Sequence, residues 1–183
     1  MKLSGPLEWA AIAVASLAVA FGAIALLSGF FAGRDQAGVS GTGSVPGLTF
    51  ADLGHAHLNP GQPHPRYNSN PPTSGAHVPE PVGADGQQLS DNQLLEALEL
   101  GDVVVMYGTP SPPPGLRSLV SSLAAPFTPA LATAGQAVVL ARRPRTAGVL
   151  GLAWAHMVRV ARPSDPLLRS FIDYWLGRGA SVH

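Results

Sequence analysis

Four of the six histidines of this 183-residue chain lie between residues 55 and 77, and they are the side chains best suited to chemistry. They are His55, His57, His64 and His77. Neutral imidazole is the commonest protein ligand for zinc and copper, and a His-x-His pair on an extended segment directs both rings to one face. Because this spacing is common, the histidines indicate a metal site only together with other ligands.

The segment from Tyr67 to His77 reads Tyr-Asn-Ser-Asn-Pro-Pro-Thr-Ser-Gly-Ala-His and has no regular periodicity. Its prolines fix φ, its hydroxyl groups can bond nearby amides, and Gly75 permits a positive φ just before His77. The run is too polar for a core, so we expect a loop that holds His77 in one direction. An ordinary proline- and glycine-rich surface turn is the alternative.

Further motifs follow this segment in a definite order. They are Leu98-Glu99, Gly101, Val103 to Tyr107, Ala153-Trp154 and Phe171. The order resembles that of a bacterial family, domain-of-unknown-function family 3105, in which Pro-Pro-Thr-Ser-Gly-Pro-His precedes a helix with His-x-Leu-Glu-His-Gly. The resemblance covers residues 51–180 and implies a membrane-anchored or secreted extracytoplasmic domain.

The resemblance implies a site of four imidazoles, from which this chain departs. Glu96 stands in place of the first helix histidine, Leu100 in place of the second, and Ala76 in place of a proline. Matching His57 to the family's upstream histidine leaves His57, His77 and Glu96 as the ligand set. Two histidines and a carboxylate bind zinc or iron and usually leave positions open to water. The alternative is a degenerate site in which His77 makes only structural hydrogen bonds.

Catalytic arrangements of the same residues have less support. A hydrolase triad of Ser74, His77 and Glu99 is not favoured, because Ser74 lies outside a Gly-x-Ser-x-Gly elbow. Glu96 and Glu99, three apart on a helix, are expected to be solvated carboxylates and not an acid/base pair. The chain is therefore predicted not to be an enzyme.

Copper is the second candidate cofactor beside zinc. His156 and Met157 are adjacent, and imidazole with thioether suits Cu(I), but alternation along a strand directs the two side chains to opposite faces. The chain has no cysteine, which excludes disulfide scaffolds, thiolate catalysis and zinc ribbons.

The N-terminal part contains an uncharged apolar run at residues 9–32. At 1.5 Å per residue it extends about 36 Å, enough to cross a bilayer core of roughly 30 Å. A cleaved signal peptide is the alternative, but Phe30 and Phe31 stand where small residues are needed. We predict a single-pass cell-membrane protein with a short cytoplasmic tail at 1–8, a transmembrane helix at 9–32, a flexible Gly/Ser-rich tether at 33–50 and an extracytoplasmic domain at 51–183.

The predicted domain alternates short helices and strands. Capping-box spacing from Ser90 and a stop at Gly101 predict the first helix, and the run of Val103 to Tyr107 predicts a strand buried on both faces. Downstream we predict a helix at 115–124, strands at 137–141 and 149–160, and a helix from Pro166 with a buried stripe of Leu167, Leu168, Phe171, Ile172, Trp175 and Leu176. The resulting β-α-β-β-α core predicts an α+β fold, a small α/β sandwich with a mixed sheet.

Charged residues make up 12% of the chain and the formal net charge is zero, which argues against nucleic acid as a partner. The charges are segregated, since residues 51–110 hold seven acidic residues against one arginine and residues 111–183 hold eight arginines against two acidic residues. They either intersperse on the folded surface or form an arginine patch that faces lipid headgroups or an acidic partner. The patch residues would be Arg142, Arg143 and Arg145.

Three functions remain open. The first is a membrane-anchored extracytoplasmic accessory or binding domain, not an enzyme, with a degenerate histidine-based metal site. The second is an active copper- or zinc-binding protein. The third is a structural subunit of a larger membrane protein complex, which the many small residues of segment 9–32 would suit.

Overall fold

The computed structural model describes residues 45–180. The predicted tail at 1–8 and the predicted span at 9–32 lie outside this range. Within the range, every helix is too short or too polar to cross a membrane. Residues 48 and 49, which fall at the end of the predicted tether, form a short strand of the folded unit.

A mixed five-stranded sheet forms the centre of the described unit. Its strands are β1 (Leu48–Thr49), β2 (Val103–Tyr107), β3 (Val138–Arg142), β4 (Val149–Ala153) and β5 (His156–Val160). The spatial order is β1-β5-β4-β2-β3, with β2 and β3 parallel and all other neighbours antiparallel. The predicted α+β class with a mixed sheet is confirmed.

Within residues 45–180, four helices accompany the sheet: α1 (Asp91–Leu100), α2 (Leu116–Ser121), α3 (Pro129–Thr133) and α4 (Pro166–Trp175). The predicted capping box is present, because Ser90 Oγ accepts from the amide of Gln93 and Gln93 Oε1 accepts from the amide of Ser90, both at 3.1 Å. Gly101 ends α1 with a φ of 114°. Helices α2 and α3 lie in the crossover from β2 to β3, where only one helix was predicted.

Two hydrophobic clusters cover the two faces of the sheet. Strand β2 contributes to both, since Val104 and Met106 belong to one cluster and Val103, Val105 and Tyr107 to the other. The first cluster contains the apolar residues of α1: Leu94, Leu95, Ala97 and Leu98. The second contains those of α4: Leu168, Phe171 and Ile172. Helix α1 therefore covers the first face and α4 the second.

The prediction of one strand over residues 149–160 is wrong. The segment is a hairpin in which β4 and β5 pair with each other, for example Val149 with Val160. The two-residue loop Trp154–Ala155 makes the turn, and Ala155 adopts a φ of 59°. Such a turn normally contains glycine or asparagine, so alanine gives no sequence signal for it.

Helix α4 begins as predicted, with Asp165 Oδ1 accepting from the amide of Leu167 at 3.0 Å. The predicted stripe is partly wrong, because Leu167 is 45% exposed. Leu168, Phe171 and Ile172 lie centrally against the sheet, whereas Leu167 lies at the margin of the same helix face.

Candidate metal centre

The loop from Tyr67 to His77 is buried at residues 71–75 and at His77, and for this part the expectation that it is too polar for a core is wrong. Three of its polar residues have no exposed surface: Thr73, Ser74 and His77. Ser74 Oγ accepts from the amide of Leu53 at 3.1 Å and donates to the carbonyl of Ala51 at 3.4 Å. Internal hydrogen bonds of this kind remove the cost of burying polar groups.

A single parallel bridge pairs His57 with His77. The amide of Leu58 donates to the carbonyl of His77 at 2.8 Å, and the amide of His77 donates to the carbonyl of Ala56 at 3.1 Å. Residues paired in this way direct their side chains to the same side. The two imidazole rings accordingly meet edge to face, with centroids 5.4 Å apart.

The ring of His77 has one nitrogen committed to its own loop. Nδ1 lies 3.0 Å from the carbonyl oxygen of Gly75, whose φ of 128° turns that carbonyl toward the ring. A carbonyl only accepts, so Nδ1 donates this bond, and in the neutral ring Nε2 then presents a lone pair. Metal-binding histidines are commonly oriented by such a hydrogen bond.

Nε2 of His77 faces two carboxylates of α1. It lies 3.4 Å from Oε2 of Glu96 and 3.4 Å from Oε2 of Glu99. Nε2 of His57 lies 3.3 Å from the same Glu99 oxygen. One ligand atom from each of these four residues lies within 4.8 Å of the others. We call His57, His77, Glu96 and Glu99 the His-Glu cluster.

The strand-like segment after His77 is fastened to the first turn of α1. The amide of Val78 donates to Oδ1 of Asn92 at 3.1 Å. The carboxylate of Glu80 accepts from Nδ2 of Asn92 at 3.1 Å and from Oγ of Ser90 at 2.9 Å. These bonds position His77 beside the helix face that carries the two glutamates.

The other end of α1 is held by the residues that follow α4. The amide of Ala180 donates to the carbonyl of Glu99 at 2.9 Å, and the amide of Gly177 donates to the carbonyl of Gly101 at 2.8 Å. These contacts satisfy carbonyls that a helix leaves unpaired at its C-terminus. The backbone that carries Glu99 is therefore fixed by long-range contacts.

The His-Glu cluster is enclosed on one side and open on the other. His77 is fully buried, the side chains of Glu96 and Glu99 are 17% exposed, and that of His57 is 50% exposed. On the open side, Nδ1 of His55 lies 3.3 Å from Oε1 of Glu99. His55 thus contacts the Glu99 oxygen that does not face His77, and an ion at the cluster would be reached from this side.

Three of the six pairs of ligand atoms in the cluster are 3.3–3.4 Å apart, and the other pairs lie within 4.8 Å. Charge-assisted N–H···O bonds are shorter, at about 2.7–2.9 Å. Four ligands at about 2.0–2.1 Å from a tetrahedral zinc ion are separated from one another by about 3.3–3.4 Å. Neighbouring ligands in an octahedral site with similar bonds are closer, at about 3.0 Å. The three shorter separations match those between ligands of tetrahedral zinc, and the remaining pairs would have to close around an ion, with His57 free to adjust from the exposed side.

Other residues considered as ligands or catalysts are placed elsewhere. Leu100, where the resemblance noted in the sequence implied a histidine, is 41% exposed. The Ser74–His77–Glu99 triad is not formed, because the Ser74 hydroxyl bonds backbone groups and Nδ1 of His77 bonds Gly75. Nε2 of His77 faces the α1 carboxylates and so cannot accept the serine proton.

His156 and Met157 do not share a site, in agreement with their predicted alternation. His156 stacks on Trp175 of α4 with ring centroids 3.7 Å apart, and burial lowers its pKa. Met157 belongs to the cluster on the opposite face of the sheet. The two side chains therefore cannot bind one copper ion.

Three predicted ligands, His57, His77 and Glu96, are thus brought together, and Glu99 joins them unexpectedly. Its three-residue spacing from Glu96 placed both carboxylates on one helix face, but a solvated face has the same spacing. His55 was also missed as a neighbour of Glu99. The spacing His-x-His was its only sequence signal.

A comparison with protein families matches residues 60–181 to a family described as "Protein of unknown function (DUF3105)". The match includes His77, Glu96 and Glu99, and begins three residues after His57. No curated protein matches the chain, and no solved structure does.

Proposed function

We propose that this chain, which belongs to the DUF3105 family of proteins of unknown function, binds one zinc ion through the His-Glu cluster. One observation carries the proposal: the lone pair of buried His77 Nε2 converges with carboxylate oxygens of Glu96 and Glu99 at 3.4 Å each. When the imidazole of His77 is neutral with its proton on Nδ1, these three acceptor atoms repel one another unless a cation lies among them.

The charge of the cluster supports a divalent ion. Two carboxylates supply two negative charges, and the two imidazoles bind as neutral ligands, so a divalent cation makes the site electrically neutral. Neutrality matters because His77 is fully buried and charge in such surroundings is costly. Oxygen and imidazole ligands suit zinc, whereas Cu(I) is selected by thiolate and thioether groups.

The number of protein ligands supports binding in preference to catalysis. Four protein ligands fill a tetrahedral zinc site, and catalytic zinc sites keep one position for water. We therefore propose that the domain binds zinc and has no enzymatic activity. The degenerate site, the copper-binding protein and the structural subunit predicted from sequence are the competing functions.

We place this domain outside the cell membrane, anchored by the predicted span at residues 9–32. The support is the length and lack of charge of that run and the family resemblance to extracytoplasmic proteins. Membrane fractionation of the full chain and protease digestion of intact spheroplasts test this placement. Release of the chain by carbonate washing, or its protection from external protease, would contradict it.

The zinc proposal is tested on the full-length chain purified in detergent. The chain is stripped with a chelator, incubated with excess zinc, dialysed and analysed for metal. We expect one zinc per chain and the same value for the control variant His64→Gln, because His64 lies outside the cluster and stacks on Tyr67. His57→Gln and Glu99→Gln are expected to weaken zinc binding by about 100-fold or more, beyond the effect of losing a supporting residue.

These variants are chosen so that misfolding does not imitate loss of binding. His57 and Glu99 retain exposed surface, and glutamine keeps a polar side chain of similar size. Circular dichroism checks that each variant is folded. Substoichiometric zinc in the wild-type chain, or equal zinc in His57→Gln, Glu99→Gln and His64→Gln, would overturn the proposal and favour a degenerate site. Stoichiometric Cu(I) without zinc would favour the copper-binding protein.

A further inference from the structure

A polar groove lies at the end of the sheet, and none of the four residues of the His-Glu cluster lines it. It has a volume of about 480 Å³. Its walls come from the loop of residues 67–77, from the turn between β3 and β4, and from β5. The residues that matter below are Asn70, Arg143, Arg145, Thr146 and Arg159. We call this feature the arginine groove.

Three guanidinium groups line the arginine groove, and they have few anionic partners. Arg143 lies 3.5 Å from Oδ1 of Asp91. Among residues 45–180, neither Arg145 nor Arg159 forms an ion pair. Three positive charges thus face one carboxylate, and the groove has an excess of positive charge in a chain whose formal net charge is zero.

Two of the three arginines, Arg143 and Arg159, are held in place by hydrogen bonds to neighbouring groups. Nη2 of Arg143 donates to Oδ1 of Asn70 at 2.7 Å, which connects the turn to the loop of residues 67–77. Nη1 of Arg159 donates to the carbonyl of Ala147 at 3.4 Å. Because each guanidinium has five N–H donors, most donors in the groove remain for a ligand.

The turn that carries Arg145 has a defined conformation that backbone hydrogen bonds hold in place. Arg145 is exposed and has a φ of 68°, a conformation that costs energy for a residue with a side chain. The amide of Arg143 donates to the carbonyl of Tyr107 at 2.8 Å, and the amide of Thr146 donates to the carbonyl of Arg143 at 3.2 Å. A Cβ on Gly108 would lie 2.3 Å from the carbonyl oxygen of Thr146, so the turn packs directly on the end of β2.

We propose that the arginine groove binds a phosphate group. Several guanidiniums with free N–H donors match the oxygens of phosphate, which accept paired hydrogen bonds from arginine. The volume of the groove exceeds that of an isolated phosphate ion, so the group belongs to a larger molecule. Phospholipid headgroups and soluble phosphate esters share this chemistry.

The test uses the full-length chain in a detergent with an uncharged headgroup. Isothermal titration at low ionic strength is carried out with inorganic phosphate, with glycerol 3-phosphate and with glycerophosphoglycerol, the phosphodiester headgroup of phosphatidylglycerol. We expect at least one of the three probes to bind with a 1:1 stoichiometry. Tighter binding of the diester indicates a lipid headgroup as the source, and tighter binding of glycerol 3-phosphate, the monoester, indicates a soluble phosphate ester.

Matched variants distinguish binding in the arginine groove from nonspecific electrostatic attraction of the probe to the protein. Arg145→Gln and Arg159→Gln are each expected to weaken binding about tenfold, and both side chains are exposed. Arg169→Gln is the control, because Arg169 lies on α4, on the other face of the sheet, and donates to Ser122. Failure of all three probes to bind, or equal weakening by Arg169→Gln and Arg145→Gln, would overturn the proposal.

Discussion

His57 and His77 are partners in one parallel bridge, and this pairing directs both imidazoles toward α1. The bridge is formed by two backbone hydrogen bonds, one of which is donated by the amide of Leu58. The two residues are 20 positions apart in the sequence, so the spacing of neighbouring residues could not have predicted that their side chains meet. The bridge brings together the imidazoles of a half-exposed histidine and a buried one.

The first prediction concerns this bridge. Leu58→Pro removes the amide that donates to the carbonyl of His77, whereas Leu58→Ala retains it. We expect Leu58→Pro to weaken zinc binding by about 10- to 100-fold, the range found when the support of a metal ligand is lost. Competition with a chromophoric chelator measures the affinity. Equal affinities for Leu58→Pro and Leu58→Ala would show that the bridge does not position His57.

The second prediction concerns Glu96, which stands where the sequence resemblance implies a histidine. Glu96→His restores an imidazole on the same helix face, and we expect it to retain zinc at one ion per chain. Imidazole favours zinc over Mn²⁺ more than carboxylate does, so the ratio of zinc to Mn²⁺ affinity should rise by about tenfold. Glu96→Leu is the matched control and should lose zinc. If both variants retain one zinc per chain with equal affinity, position 96 does not supply a ligand.

The helices and strands were largely predictable because their signals are local. The capping box at Ser90, Gly101 at the end of α1 and the β-branched run in β2 each mark one element. The turn at Ala155 could not be predicted, since an alanine with positive φ is held there by long-range contacts. Its amide donates to the carbonyl of Thr73 at 2.9 Å, and its carbonyl accepts from Phe50 at 2.8 Å.

The part of the site that could be predicted is the part that the order of motifs along the sequence identifies. His57, His77 and Glu96 came from the family pattern, and the structure brings them together. Glu99 belongs to the same cluster because residues 55–58 and 77–80 pack over its face of the helix. The spacing of residues within α1 gives no indication of this long-range packing. The burial of Thr73 and Ser74 was missed for the same reason, since their hydrogen-bond partners are distant in sequence.

The third prediction concerns the buried carboxyl of Asp102. The residue is 1% exposed, its Oδ1 accepts from the amide of Ala137 at 2.7 Å, and its Oδ2 has no hydrogen-bond partner among residues 45–180. Burial raises the pKa of Asp102 from its ordinary value of 3.8 to about 7, although the Ala137 bond opposes the rise. The folded chain thus keeps a proton that the unfolded chain releases above about pH 4.

The sign of the effect follows from this raised pKa. The free energy of unfolding should decrease as the pH rises from about 5 to about 8, by about 1–3 kcal/mol from this residue. Asp102→Asn removes the titration, so its stability should depend less steeply on pH over the same interval. Urea denaturation of both proteins at each pH measures the difference in slope. Parallel slopes would show that Asp102 is already ionised in the folded protein at about pH 5, the lower end of this interval.

The fourth prediction concerns the packing that holds Glu99. Gly179 lies so close to the end of α1 that an added Cβ would be 2.0 Å from the carbonyl oxygen of Glu99, whereas an added Cβ on Gly83 meets nothing within 4 Å. Gly179→Ala must displace either the C-terminal segment or the helix end. We expect it to lower the free energy of unfolding by about 1–3 kcal/mol, the usual cost of overpacking.

Since the displaced backbone carries a ligand, Gly179→Ala should also weaken zinc binding by about tenfold or more, and Gly83→Ala should change neither property. Thermal unfolding with and without zinc measures both effects in one experiment. A bound ion stabilises the folded state in proportion to the logarithm of its concentration over Kd, so the zinc-induced rise in Tm should be smaller in Gly179→Ala. An equal rise in both variants, with Gly179→Ala less stable throughout, would mean that the helix end supports the fold without positioning Glu99.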